Sequence, residues 1–341
     1  MTTRLLQRWA GVVLAGLLAP ALVTAATAVP AWSPDDAGGA SVASVAERAR
    51  KDPRLTRPLH LDDRLPATGQ ERRYRRIAQT PQAIWYAPEQ HPTSSLAAAV
   101  SDQVVRATAT RSTPVLVLYA IPDRDCGQHS GGGLRGAAAY RAYVRAFARG
   151  LGTRSKALVV VEPDAIALIG QPDCADTAAR LKMLRFAVTR IARTGAWAYL
   201  DAGHSAWTPY DGRARLLKRA GIAQARGFST NVANFRPLPD ERAYATGLRR
   251  ELARIGVKGA RYVVDTSRNG AAAPVVGDVI NPTWARLGPA PKRRFQDGLD
   301  ATLWIKHPGE SDGAVNGGNA AGQWCDLLAD RLLGRADSPS C

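Results

Sequence analysis

Leu158-Val-Val-Val-Glu162-Pro163-Asp164 is a short β-branched apolar run that ends in two carboxylates and a proline. The same design recurs along the chain. Val115-Leu-Val-Leu-Tyr119 leads to Pro122-Asp123-Arg124-Asp125-Cys126-Gly127, and Ala198-Tyr-Leu-Asp201 leads to Ala202-Gly203-His204. Leu303-Trp-Ile-Lys306 leads to Pro308-Gly309-Glu310-Ser311-Asp312-Gly313. A run of four to eight apolar residues with no polar alternation fits a strand buried on both faces, as in a parallel sheet. Acids just past such strands sit where a parallel barrel presents its catalytic groups.

Working outward, further strand candidates are Ala83–Tyr86, Gly227–Ser229 and Tyr262–Val264, and with the strand of the last run taken as Ala301–Ile305 the expected count is seven. Between them lie Ala-, Arg- and Leu-rich helical stretches at 94–108, 137–151, 176–193, 213–220 and 241–255. This alternation predicts an α/β fold: a distorted, partly open parallel (β/α) barrel of seven strands in a single domain. The competing doubly wound sheet would more often show a glycine fingerprint right after a strand. Gly131-Gly132-Gly133 does not directly follow one.

Arg4 and Arg8 precede a mostly apolar stretch, Trp9 to Val23, and Ala26-Thr27-Ala28 fits a cleavage site. Residues 1–28 therefore read as a signal peptide whose apolar run is shorter than a span, and the mature chain is expected to be secreted with no stable membrane span. Residues 29–75, rich in Pro, Asp, Arg and Gly, read as a poorly ordered lead-in followed by loop structure, and 76–341 as the catalytic domain. The net charge of +17 comes from scattered residues, not from a basic block interleaved with aromatics, so nucleic acid is not an expected partner. Four cysteines in an exported chain suggest two disulfides. Three pairings exist, and proximity along the chain favours Cys126–Cys174 and Cys325–Cys341. No spacing suggests a metal site, and no cofactor is expected.

The strand ends collect Trp85, Tyr119 with Asp125, Glu162 with Asp164, Asp201 with His204, Asn231 and Asn234, Asp265, and Lys306 with Glu310 and Asp312. Carboxylates this dense raise one another's pKa, so one of them can stay protonated near neutral pH. That is what acid-assisted cleavage of a glycosidic bond requires. Trp85 and Trp207 offer flat faces for sugar rings. Asp125 and Asp164 have an alternative reading as helix N-caps, and Asp265 as a partner of Arg268. Gly309-Glu310-Ser311-Asp312-Gly313 matches a hydrolase elbow, but no histidine follows Ser311 to complete a triad with it.

These stretches, together with Gly227-Phe-Ser-Thr-Asn-Val-Ala-Asn234 and Val264-Asp-Thr-Ser-Arg-Asn-Gly270, resemble glycoside hydrolase family 6, the inverting β-1,4-glucanases. The resemblance runs in family order from about Trp85 to Trp324. It implies roles for four acids: Asp164 as general acid, Asp125 as its pKa modulator, Asp312 as base or water relay, and Asp201 as electrostatic support. The short connections favour endo action, and the chain is expected to be a monomer. It also implies ring distortion by Tyr119 and glucosyl binding by Trp85, His204, Trp207, Asn234, Lys306 and Glu310. Cys126–Cys174 matches the family's first disulfide. Inversion implies an acid and a base roughly 6.5–9.5 Å apart across the sugar. The chain departs from the family at Gly131, where relatives carry serine, and at Val279-Ile280, where they often carry Trp-Cys. Ala314 replaces the partner cysteine, and His307 replaces Pro or Leu. A glycan-binding protein on the same scaffold, catalytically impaired, is the alternative expectation.

Overall fold

The computed structural model describes residues 52–341 except 128–130, 172, 173, 175, 208, 209, 273, 274, 276 and 337. The expected signal peptide, the lead-in up to residue 51, and His129 and Ser130 lie outside the described residues.

The strands are β1 (Ile84–Tyr86), β2 (Val115–Leu118), β3 (Leu158–Val161), β4 (Trp197–Asp201), β5 (Gly227–Thr230), β6 (Arg261–Asp265), β7 (Lys292–Gln296) and β8 (Leu299–Leu303). They form one sheet in the order β1-β2-β3-β4-β5-β6-β8-β7. The expected count of seven is therefore corrected to eight among the described residues. All seven anticipated strands pair in parallel, and β7 adds an antiparallel hairpin arm on β8. The sequence of β7, Lys-Arg-Arg-Phe-Gln, conceals a strand because it is an outer edge: its residues are exposed or half-buried, and cationic side chains there discourage pairing with other chains.

Side-chain alternation along the strands divides the interior in two. Leu116 and Leu118 of β2, Val159 and Val161 of β3, and Ala198 and Leu200 of β4 face the helices. Val115, Val117, Leu158, Val160 and Tyr199 face the inside of the barrel, with Val263, Ala301 and Leu303. The helical layer is α1 (Glu71–Ala78), α2 (Thr93–Ala109), α3 (Gly136–Leu151), α4 (Thr177–Ala192), α5 (Tyr210–Arg219), α6 (Leu238–Arg254) and α7 (Asp326–Leu333). Asp176 caps α4 by accepting from the amides of Ala178 and Ala179. Helix α1 crosses position 75 and buries Tyr74 and Ile77 in a third cluster with Trp304 and Leu332.

The barrel nearly closes between β1 and the chain leaving β8. There the Ala83 amide donates to Trp304 O at 2.9 Å and Trp85 Nε1 donates to Ile305 O at 2.7 Å, without a strand ladder. Cys126–Cys174 and Cys325–Cys341 are both bridged. No helix among the described residues is long and apolar enough to cross a membrane.

At the N-terminal end of the strands, buried Asp300 accepts from the Tyr199 hydroxyl at 2.8 Å, from Arg226 Nε at 2.8 Å and from Arg261 Nε at 2.8 Å. One carboxylate thus pairs with two guanidinium groups and joins β4, β6 and β8. Asp300→Ala leaves both cations without their anion. A loss of about 3–5 kcal/mol is expected in urea denaturation, the range for breaking a buried ion pair from one side.

Candidate active site

A cleft of about 420 Å³ opens where the strands end, lined by Asp125, Asp164 and Asp312 together with His204, Trp207, Asn234 and Trp284. Three carboxylates from the connections after β2, β3 and β8 thus share one space.

Asp164 enters the cleft from a left-handed backbone, φ 65°. Glu162, Asp125 and Cys126 nearby share that unfavourable region, with φ between 51° and 54°. Such clustering of non-glycine residues in this region is a feature of functional sites. The Asp164 carboxyl caps no helix, and its Oδ1 is buried without a hydrogen-bond partner among the described residues. Burial, then the charges of Asp201 and Asp125, push its pKa well above the usual carboxylate range.

Asp201 lies beneath this residue. Its Oδ2 accepts the Asp164 amide at 3.0 Å and the Gly203 amide at 3.1 Å, and its Oδ1 accepts from Ser229 Oγ at 3.0 Å. Burial raises Asp201 to about 6, with these three donors pulling against it. Asp125 accepts a 2.5 Å hydrogen bond from the Tyr119 hydroxyl. The Tyr119 ring is held between the edge of Trp85, at 5.1 Å, and the guanidinium of Arg124, at 4.3 Å.

Asp312 is held differently. Arg268 Nη1 donates to its Oδ2 at 2.5 Å, and Lys306 Nζ stands 3.4 Å from its Oδ1. Burial alone would raise its pKa, but Arg268 and Lys306 outweigh that and hold it below the ordinary range. Its backbone amide donates to Asn281 Oδ1 at 2.7 Å. One cleft therefore holds a carboxyl whose ionisation is disfavoured and a carboxylate whose ionisation is favoured, the division that acid and base roles require.

His204 and Trp207 stack with ring centroids 4.3 Å apart. Burial, then Arg236 and Arg213, lower His204 to about 4, so its ring is neutral at ordinary pH. Gly203 permits the stack: it has φ 74°, and a Cβ there would lie 2.6 Å from Trp207 Cε3.

The remaining anticipated residues separate. Asn234 lines the cleft, whereas Trp85, Tyr119, Asp201, Lys306 and Glu310 are not among its lining residues. Asp265 does not meet Arg268. Its two oxygens accept the amides of Ala233, Ser267, Ile305 and Lys306, which ties the ends of β5, β6 and β8 together. Ser311 is no nucleophile: it is fully buried and its hydroxyl donates to Asn319 O at 2.9 Å. Glu162 is a buried tie, accepting the amides of Ala120 and Ile121.

Sequence reasoning missed Arg236 and Phe235 in the cleft wall, and missed Arg268 as the partner of Asp312. Trp284 also lines the cleft, its Nε1 donating to Asp278 Oδ2 at 3.0 Å. The sequence offers Trp284 as a candidate to replace the aromatic platform that relatives often carry before the Asn281-Pro282 turn. Among the described residues, no three His, Cys, Asp or Glu side chains are grouped to hold a metal ion.

Comparison with known proteins identifies the family. The profile of glycosyl hydrolases family 6 matches residues 61–336. Endoglucanase A of Cellulomonas fimi is 41% identical over 255 residues, 74% of this chain and 54% of that protein. Endoglucanase 1 of Streptomyces sp. (strain KSM-9) is 42% identical over 242 residues, 70% of this chain and 66% of that protein. The chain thus spans about half to two thirds of these two curated relatives. Among solved structures, the endoglucanase Cel6 from Mycobacterium tuberculosis superimposes with a TM-score of 0.76 at 34% identity. That match covers 83% of this chain and 98% of the other, which was solved with methyl-cellobiosyl-4-deoxy-4-thio-β-D-cellobioside.

Proposed function

Since the chain belongs to glycosyl hydrolases family 6, we propose that it is a secreted, inverting β-1,4-glucanase acting within glucan chains. The observation that carries this reading is the presence of Asp164 and Asp312 in one cleft under opposite electrostatic regimes. Asp164 protonates the departing glycosidic oxygen. Asp125 and Asp201 keep that proton on it through their negative charge. Asp312 directs water to the opposite face of the sugar, as base or through a water chain. Tyr119, held on Asp125, favours a distorted ring at the cleavage point. His204, Trp207 and Asn234 bind glucosyl units in the cleft, and Trp85, Lys306 and Glu310, which do not line it, are assigned to binding by the family resemblance. The names of the relatives support endo action.

Proton NMR of cellopentaose digestion tests this directly. Early accumulation of the α-anomer at the new reducing end is expected. Accumulation of the β-anomer, or no turnover, would overturn the assignment.

Trp284 supplies an aromatic face where Val279 and Ile280 offer only aliphatic ones. Its orientation is held by Asp278 and by edge contact with Phe235 at 5.5 Å. Trp284→Ala is expected to weaken cellotetraose binding about tenfold in titration calorimetry, the effect of losing one ring stack plus its buried area. An unchanged affinity would remove Trp284 from the binding surface.

A further inference from the structure

His307 stands at the seam where the barrel nearly closes, with both ring nitrogens engaged. Its Nε2 lies 2.6 Å from Ala83 O and its Nδ1 lies 2.6 Å from Glu310 Oε1. A backbone carbonyl can only accept, and so can an ionised carboxylate. Each nitrogen must therefore donate, and an imidazole that donates twice is an imidazolium.

The neighbouring charges give this proton a consequence. Glu310 Oε2 is 3.6 Å from Lys306 Nζ, and the same ammonium is 3.4 Å from Asp312 Oδ1. Lys306 is thus shared between two carboxylates. Arg268 serves only Asp312 in this group. Asp265, the other acid here, has both oxygens engaged by backbone amides, including that of Lys306, and does not compete. From β1, Ala83 contributes a carbonyl and no charge.

We propose that His307 is a positioning residue: as a cation bridging Ala83 and Glu310, it satisfies Glu310 and so releases Lys306 to Asp312. Two carboxylates then face three cations. Without the His307 charge, Glu310 draws on Lys306 and Asp312 keeps Arg268 alone. Burial and Lys306 disfavour the His307 cation, but the Glu310 charge and the two hydrogen bonds raise its pKa overall. The proposal rests on the glucanase reading only in making Asp312 the group that benefits.

Long-range 1H–15N NMR of the intact protein tests the first step. The His307 ring is expected to keep both nitrogens protonated above the ordinary histidine pKa of about 6.5, where an unperturbed ring is mostly neutral. A single neutral tautomer at about pH 6.5 would overturn the proposal. The second step is read by 13C titration of the Asp312 carboxyl, identified with Asp312→Asn. His307→Gln keeps one donor without the charge and is expected to raise the proton affinity of Asp312 about tenfold, one pKa unit. In a Glu310→Gln background, where Lys306 has no second claimant, the same change is expected to have less than about a twofold effect. Equal shifts in both backgrounds would reduce His307 to structural support, and no shift in either would remove the link to Lys306. Neither readout needs turnover, so a failure of glucan cleavage would leave this result standing and count against the catalytic reading alone.

Discussion

Asp164→Ala is expected to lower kcat on cellopentaose about 10³–10⁴-fold, the upper range of general acid catalysis. The same variant should retain kcat within about tenfold on a 2,4-dinitrophenyl cellobioside, because a stabilised phenolate departs without a proton. The contrast follows from position and charge. Asp164 Oδ1 is buried with no partner among the described residues, so ionisation there gains no hydrogen bond and loses hydration. Asp201 lies directly beneath, accepting the Asp164 amide at 3.0 Å, and a second anion so close favours the protonated form further. Circular dichroism would verify that the variant folds. Equal losses on both substrates would show that Asp164 does not donate the proton.

The pH dependence follows with a definite sign. As the proposed general acid, Asp164 must hold its proton, and its pKa is raised, so activity is expected to fall as pH rises through that value. Asp312 must be ionised, and its pKa is lowered, so activity is lost on the acid side only as pH drops below the ordinary carboxylate range. Asp125→Asn removes one of the charges that raise Asp164 and should move the basic limb downward. A stationary basic limb in that variant would disconnect Asp125 from the acid.

The strand positions were legible because a strand buried on both faces must be apolar throughout, as in Val115–Leu118 and Leu158–Val161. The acids of the cleft were legible because each follows such a strand by a few residues. β7 was not, since a solvated edge strand needs no apolar residue: Lys292, Arg293 and Arg294 carry no pattern that separates them from a loop. The pairing of Arg268 with Asp312 was equally invisible, because it joins residues 44 apart whose proximity depends on the barrel's curvature. Asp265 shows the limit of reading residue type alone. It sits at a strand end like Asp201, yet four backbone amides occupy it. Asp164 and Asp265 differ in what surrounds them, and that information resides in the packing.

Asp312→Ala is the second large effect, an expected loss of about 10²–10⁴-fold in kcat on cellopentaose. Two cations make Asp312 a weak base in the ground state, since Arg268 and Lys306 both stabilise its ionised form. In the proposed mechanism it holds an attacking water and takes its proton only as that water, bonding to the cationic sugar carbon, becomes acidic. Azide separates these contributions. A small anion entering the space vacated by the carboxylate, between Arg268 and Lys306, needs no proton removed and can attack by itself. On cellobiosyl fluoride, azide should restore turnover in Asp312→Ala and form the glycosyl azide of inverted configuration. The wild-type enzyme should show no such gain, because its carboxylate already occupies that position and repels anions. Loss of activity without azide rescue would assign Asp312 to substrate binding and move the water-directing role to another group in the cleft.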